Sequence, residues 1–460
     1  MSQLPQGWSE VRLDSISKIV TGKTPSKKDK DNFGGNIPFI KPGDILNQGY
    51  INSTVETITE KGAELVPSIP KDSITVTCIG NLGRVAITKE KSATNQQINT
   101  VIPNEKVEPK YLFHYLRTIR EWMENEASAT TVAIINKTKF SAAPIRLPSS
   151  KADQKRIADK LDSVLAKVEA AQARLDKIPT ILKRFRQSVL AAATSGELTK
   201  DWREENEPLD WDVEKLINVI YQKWLQEREK EFERKGKKPK TNTWLKKFPS
   251  VEPHSIIDND WIELSLENVA EVVDPNPSHR MPKYVADGMP FISSENIISI
   301  ETLNFEKGKK VTEEEVEKQK TRYEINEGTF AFTRIGTIGK SVLLPNPHNY
   351  GISHAMAVVN PYDEVVDSTY LIWVMNCESI LKQAKHGVQS VGVPDLGIGK
   401  MKAFRIPIPS LNEQKEIVKR LNDLFEHANT VEKQYYAAKA RLDKLTQSIL
   451  AKAFRGELVS

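Results

Sequence analysis

The sequence predicts a mixed α/β protein in which two globular α+β domains are joined by two long antiparallel coiled-coil helices. Three observations predict it. Segments of the chain recur at an offset of 260 residues, as when Gln187-Ser188-Val189-Leu190-Ala191 returns as Gln447-Ser448-Ile449-Leu450-Ala451. Each copy contains a long run of apolar residues at 3.5-residue spacing, the mark of a coiled-coil seam. Ahead of each run lies a segment of about 150 residues with short β-rich runs, turns and short helices.

The 460 residues carry 66 Lys+Arg against 61 Asp+Glu, a net charge of +5. At roughly 100–200 residues per domain, that length suggests two to four domains. A hydrophobic fraction of 39% beside 28% charged residues suits a soluble chain with long solvated helices. No run approaches the ~18 apolar residues of a membrane span. Met1-Ser2-Gln3-Leu4-Pro5 has no secretory character, and Cys78 and Cys377 stand too far apart for a zinc knuckle or disulfide framework. The expectation is a cytoplasmic protein with no membrane partner.

Residues 1–148 are predicted to form the first domain. Ser73-Ile74-Thr75-Val76-Thr77 reads as a strand, and Tyr111–Trp122 reads as a helix. Residues 149–200 form the central helix. Ile157, Leu161, Val164, Val168, Ala171, Leu175, Ile178, Leu182, Phe185 and Val189 keep a 4-3-4-3 spacing, and Pro179 should kink the helix or start a new segment. Residues 201–256 are a charged linker. Its Lys223–Lys247 stretch holds ten basic and four acidic side chains and is expected to be helical first, then a flexible basic tract.

Residues 257–409 form the second domain, whose landmarks answer those of the first. Gly7-Trp8-Ser9-Glu10 corresponds to Asp260-Trp261-Ile262-Glu263, Ile37-Pro38-Phe39-Ile40 to Met289-Pro290-Phe291-Ile292, and Tyr111-Leu112 to Tyr370-Leu371. Thr329-Phe330-Ala331-Phe332-Thr333 reads as a strand and Tyr370–Met375 as a helix. Residues 410–460 form the C-terminal helix, with Ile417, Leu421, Leu424, Ala428, Val431, Tyr435, Ala438, Leu442, Leu445 and Ile449 on its seam. At 1.5 Å per residue, a helix of about 40 residues spans roughly 60 Å. Each helix could instead pack only on its own domain. The narrow seam and its charged flanks (Lys151, Asp159, Lys160, Asp162, Lys167, Glu169) oppose that reading.

The search for chemistry is largely negative. Arg334-Ile335-Gly336-Thr337-Ile338-Gly339-Lys340-Ser341 looks like a P-loop, but Arg334 stands where the first glycine is needed, and the other copy, Cys78 to Arg84, lacks Gly-Lys-Ser. A tight turn between two strands better explains Gly80/Gly83 and Gly336/Gly339. Asp274-Pro275-Asn276-Pro277 lacks the adjacent proline and aromatic of an amino-methyltransferase motif. The seven histidines do not cluster at metal-ligand spacing. His354 lies in a strand-like run. Together these absences argue against an enzyme.

Nucleic-acid binding is suggested by distribution. Lys23, Lys27, Lys28 and Lys30 fall in a loop of the first domain, and Arg280 and Lys283 at the matching place in the second. Amide and hydroxyl side chains able to read base edges are expected near these loops, among them Asn95-Gln96-Gln97 and Ser293-Ser294-Glu295-Asn296; Asn and Gln can pair with adenine, and Arg with guanine, in the major groove. The candidate DNA-contacting residues are Lys23, Thr24, Lys27, Lys28, Arg84, Asn95, Gln96 and Gln97 in the first domain. In the second they are Arg280, Lys283, Ser294, Asn296, Arg334 and His354.

Over nearly its whole length the chain resembles the specificity (S) subunit of type I restriction–modification enzymes. The resemblance is most specific in Ile181-Leu182-Lys183-Arg184-Phe185-Arg186-Gln187-Ser188-Val189-Leu190 and in Thr446–Leu458. The Pro-x-Pro-x-x-x-Glu-Gln run Pro407–Gln414 leading into the last helix is similar to the family's too. Asp153-Gln154 follows Pro148 with one extra residue. The resemblance implies two target recognition domains, each reading half of a bipartite site in double-stranded DNA, with the helices as spacer. It implies docking of two methyltransferase (M) subunits and of restriction/translocase (R) subunits. It also implies a non-catalytic chain without cofactor or metal, S-adenosylmethionine, ATP and Mg²⁺ being held by the partners. A coiled-coil scaffold with two ligand-binding domains, and a self-contained enzyme, are the readings left open.

Overall fold

A computed structural model describes residues 4–46, 49–128, 132–206, 212–237, 239–257, 260–278, 280–388 and 392–458. The chain divides into two compact units, one of Met1–Ile178 with Gln434–Ser460 and one of Pro179–Lys433. Each unit contains one globular domain and parts of both long helices.

In the first unit, strand Trp8–Arg12 pairs antiparallel with Pro144–Pro148, Trp8 opposite Pro148. A one-turn helix, Leu13–Ile16, leads into a five-stranded sheet ordered Ser17–Thr21, Ile98–Pro103, Ile74–Thr77, Val85–Thr88, Tyr50–Ile51. A smaller sheet is formed by Glu56–Ile58, Phe33–Ile40 and Ala93–Thr94. Ile74-Thr75-Val76-Thr77 is buried on both faces, as the β-branched run predicts. Each fully buried Val, Leu or Ile contributes about 1.5–3 kcal/mol by area. The predicted helix Tyr111–Trp122 is in fact two helices, Pro109–Leu116 and Arg120–Glu126. Thr118 breaks it, both its amide and its hydroxyl donating to the Tyr115 carbonyl at 2.8 and 2.7 Å.

The second unit repeats this plan. Trp261–Ser265 pairs with Arg405–Ile408, helix Leu266–Val269 follows, and the larger sheet is ordered Ala270–Val273, Met356–Pro361, Phe330–Thr333, Ser341–Leu343. The smaller sheet comprises Lys309–Val311, Met289–Ile292 and Gly351–Ile352, and the helix is Ser368–Met375. An additional strand, His254–Ile257, forms a hairpin with Trp261–Ser265.

The central helix runs Lys151–Leu175, breaks at Asp176-Lys177 and resumes as Ile178–Thr194 with Pro179 in its first turn, where a missing N–H costs nothing. The C-terminal helix, Leu411–Ala453, runs unbroken for 43 residues. Ile157, Leu161 and Leu165, at the start of the central helix, share the first domain's core with Ile449, Leu450, Ala453 and Phe454, at the end of the C-terminal helix. In the second unit the opposite ends meet: Val189 and Ala193 join Ile417, Leu421 and Phe425. The pairing is therefore antiparallel. Seam positions Phe185, Val431 and Leu445 nonetheless remain partly open to solvent.

Glutamine fixes each helix to its domain by the same device. The Gln154 carbonyl accepts from the Glu108 amide at 2.8 Å while its NH₂ donates to the Pro148 carbonyl at 3.0 Å. Gln414 accepts from the Asp367 amide at 2.7 Å and donates to the Pro409 carbonyl at 2.9 Å. Tyr111 and Tyr370 likewise donate their hydroxyls to the carbonyls of Arg146 and Pro407.

The linker is helical first, as expected, but its second part differs from expectation. Residues Val213–Arg234 form a helix capped by Asp212, and the tract expected to be flexible contains a 3₁₀ segment, Asn242–Lys247. Tryptophan supplies the reason: the Trp224 ring lies 5.8 Å from that of Trp244 and 5.4 Å from that of Phe248, with Phe232 against Trp244 at 5.0 Å. Ile220 is buried in the second domain's core.

Candidate nucleic-acid interface

At one end of each domain several loops are tied together by main-chain hydrogen bonds, and the principal bonds of the two ties correspond. The strands Ile74–Thr77 and Val85–Thr88 are joined by a turn in which Gly80 and Gly83 adopt φ of 79° and 75°. Gly83 N–H donates to the Thr77 carbonyl at 3.0 Å, and Arg84 N–H to the Thr77 hydroxyl at 3.0 Å. In the second domain Gly336 and Gly339 take φ of 73° and 95°, Gly339 N–H donates to Thr333 O at 3.1 Å, and Lys340 N–H to the Thr333 hydroxyl at 2.9 Å. These are hairpin turns, as the sequence predicts, and not phosphate nests.

The turn anchors its neighbours. Cys78 N–H donates to Gln97 O, Gly80 N–H to Ala133 O, and Ile135 N–H to Cys78 O, at 2.9, 2.9 and 3.0 Å. In the second domain Arg334 N–H donates to Ala355 O, Gly336 N–H to Pro394 O, and Leu396 N–H to Arg334 O, at 2.8, 2.8 and 2.9 Å. Asn95 N–H meets Ile40 O at 3.1 Å where Ser353 N–H meets Ile292 O at 2.9 Å. The side chains of Asn95 and Ser353 then accept from the amides of Gln97 and Ala355. Gln96 and His354 thus occupy one equivalent position. Gly22 is required beside this turn: a Cβ there would lie 2.2 Å from the Asn95 carbonyl oxygen.

The side chains placed on this frame differ between the copies. In the first domain Lys23, Lys27, Lys28 and Gln96 are exposed. The Thr24 hydroxyl donates to Gln96 Oε1 at 2.7 Å, which leaves the Gln96 NH₂ as a donor for an outside acceptor. Arg84 donates to Pro42 O at 3.2 Å. Asn95 is buried, its NH₂ donating to Gln97 Oε1 at 3.0 Å, so both amides brace the turn on which Gln96 sits. In the second domain Arg280 and Lys283 are exposed and Ser294 is half-buried.

Three expectations need correction. Asn296 is fully buried, donating to the carbonyls of Asn304 and Lys307 at 2.8 and 2.7 Å and accepting from Ser293 N–H at 2.9 Å. Those bonds occupy the groups it would need to read a base; Asp44 does a like job in the first domain, accepting from Lys41 N–H. Arg334 is 2% exposed, and its guanidinium donates to Asp274 at 2.9 Å and Asp395 at 3.2 Å. His354 lies in the turn after strand Gly351–Ile352 and not within a strand. Lys340, exposed at the position equivalent to Arg84, was passed over although the aligned turns contain it.

Other chemistry is sparse. Cys78 and Cys377 are buried free thiols, and burial pushes the Cys78 thiol up to about 12, far from a nucleophile's range. Among the described residues no three or more His, Cys, Asp or Glu side chains group as a metal site, and no helix is long and apolar enough to cross a membrane.

Comparison with known proteins places this geometry. Residues 5–180 and 259–438 each match the family described as Type I restriction modification DNA specificity domain. The chain is 28% identical to the EcoBI specificity subunit of Escherichia coli over 466 residues, covering 98% of this chain and 86% of that one. It is 29% identical to the EcoDI specificity subunit, also from Escherichia coli, over 476 residues, covering 100% and 90%. Among solved structures, one described as the basis of complex assembly and conformational transition of the type I R-M system matches with a TM-score of 0.62 at 16% identity, over 99% of this chain and 100% of that one. The HsdS subunit of Thermoanaerobacter tengcongensis gives 0.56 at 15% identity, covering 99% and 98%.

Proposed function

Because the chain belongs to the family of type I restriction–modification DNA specificity subunits, we propose that its two domains read the two halves of a bipartite site in double-stranded DNA. One observation carries the residue-level reading. The two loop clusters share their main-chain hydrogen bonds yet display different side chains, Gln96 where the other has His354. A shared frame with variable side chains is what two readers of different sequences require. Phosphate contacts from Lys23, Lys27, Lys28, Arg280, Lys283 and Lys340 position the domains, and base-edge contacts from Gln96, His354 and Ser294 specify.

The antiparallel helices act as the spacer that sets the gap between half-sites. Exposed apolar side chains on them, Ile181, Phe185 and Val431, offer a surface to the methyltransferase subunits, with restriction/translocase subunits joining that core. Catalysis, together with S-adenosylmethionine, ATP and Mg²⁺, belongs to those partners. Methylome sequencing of cells expressing the chain with its methyltransferase partner tests the reading. It should return a single bipartite motif. Adding one heptad to both helices should lengthen its gap by about 3 base pairs, since seven residues rise ~10 Å. A continuous motif, or an unchanged gap, overturns the proposal.

A further inference from the structure

The basic tract of the linker has no counterpart in the first domain among the described residues, and the half-site readers leave it without a task. Its charge is uneven. Within 223–247 all four acids lie at Glu227, Glu229, Glu231 and Glu233, and no acid follows until Glu252. Lys230 and Lys235 pair with Glu227 and Glu231. Lys237, Lys240, Lys246 and Lys247 are exposed and have no carboxylate partner among the described residues.

The fold decides where this charge lands. The 22-residue helix Val213–Arg234, ~33 Å long, starts against the core that holds Ile417 and Leu421, into which Ile220 is buried. Its far end reaches the loop end of the domain. There Arg234 lies 3.7 Å from Glu324, and the neighbouring Arg322 donates to the Pro275 carbonyl at 2.7 Å. A cleft of about 550 Å³ is lined on one side by Lys235, Trp244 and Lys247 and on the other by Asp274 and Pro277. Pro275 and Pro277 begin the stretch that carries Arg280 and Lys283. The aromatic stack of Trp224, Trp244 and Phe248 holds the lysine-bearing segment in place, so its cations are positioned with little further loss of chain entropy.

We propose that residues 235–237 and 239–247 form an auxiliary duplex-DNA surface, binding backbone phosphates beside the half-site read by the second domain and adding affinity without sequence. The proposal rests on the DNA-reading function above. Fixed, unpaired lysines on the same domain end as the reader loops suit a polyphosphate backbone, and contacts from lysine to phosphate carry no sequence information.

The test uses the subunit assembled with its methyltransferase partners, as wild type and as K237Q/K240Q/K246Q/K247Q, with DNA affinity measured on cognate and unrelated duplexes across a salt series. Each lost phosphate contact should reduce the slope of log K against log salt by about 0.9, up to ~3.6 for four. Affinity at 0.15 M salt should fall about 5-fold per contact on both duplexes alike. The methylated motif should not change. An unchanged slope, or a loss confined to cognate DNA, overturns the proposal. So does normal DNA binding with weakened assembly, which would assign the lysines to an acidic protein surface. If the wild-type assembly shows no preference for any bipartite duplex, the DNA-reading function itself fails; if it does and the slope is unmoved, only the auxiliary surface fails.

Discussion

Arg334 separates two roles that sequence cannot distinguish, a phosphate contact and an internal clamp. Its guanidinium bridges Asp274, which begins the stretch carrying Arg280 and Lys283, to Asp395 on a second loop. Replacing it with methionine keeps much of the volume and removes both ion pairs. The two carboxylates do not weigh equally. Asp395 is 45% exposed and can rehydrate, so its pairing is worth about 0–1 kcal/mol. Asp274 is 14% exposed and still accepts from the Asn276 amide at 2.9 Å, so losing the guanidinium removes a charged hydrogen bond worth about 1.5–3 kcal/mol. R334M should therefore destabilise the second domain by about 1.5–3 kcal/mol, and R334M/D274N should recover part of that loss because the carboxylate that has lost its cation is neutralised. Hydrogen exchange of peptides covering 274–283 and 392–397 reads the loosening locally, and urea denaturation reads its size. In cells, the half-site read by the second domain should blur while the other stays sharp. If R334M is as stable as wild type and instead loses one phosphate contact's worth of salt dependence, ~0.9 in slope, the clamp is refuted.

Two further outcomes follow from buried charge. The Glu413 carboxylate, buried at the head of the C-terminal helix, accepts from the Thr199 hydroxyl and Arg203 at 2.6 Å each and from the Trp261 indole N–H at 2.9 Å. E413Q presents an NH₂ to donors and unpairs Arg203, so the second domain should lose ~3–5 kcal/mol in urea denaturation; a loss under about 1 kcal/mol would contradict this account. Burial, aided by Lys320, lowers His348 to about 4, its ring lying between Tyr323 and Tyr350. A base depressed in the folded state stays neutral there while the unfolded chain takes up a proton, so its contribution is complete above pH 6.5 and lost as pH falls toward 4. H348F should flatten that part of the stability–pH curve, and a curve of unchanged steepness would show that other groups set it.

Much of the fold was legible because periodicity and repetition are local properties. The helical seams, the break at Pro179, the strands at 74–77 and 330–333 and the double-glycine turns all follow from spacing or from backbone demands that a few residues state by themselves. What was misread depended on side-chain partners that periodicity does not register. Arg334 and Asp395 are 61 residues apart, so nothing local marks the arginine as paired. Asn296 looks like a base reader until the carbonyls of Asn304 and Lys307 fold back on it. The linker's tryptophans are plain in the sequence, but their stacking partners are not: Trp224, Trp244 and Phe248 pack together and organise the segment. Thr118 broke a helix through one hydroxyl, a choice that apolar spacing does not register.

The duplication also explains how a chain with a net charge of only +5 can serve DNA. Affinity depends on the cations that reach phosphates and not on the whole-chain balance, because counterion release counts contacts. The two copies hold their loop clusters by the same main-chain bonds, so side chains there can change without unfolding the frame. They have changed even beneath it: Cys78 in one copy stands where Arg334 stands in the other, each donating its amide to the turn after the short strand. In the first copy a small apolar thiol fills the position. In the second, a cation needs two carboxylates, Asp274 and Asp395, to be tolerated there. A substitution at this one site therefore obliges a change at Asp274, the less exposed of the two, and the second domain's reader is coupled to its core in a way the first domain's is not. Sequence exchange between the domains should then tolerate transfer of Gln96 or His354 alone, but transfer of Arg334 only together with Asp274.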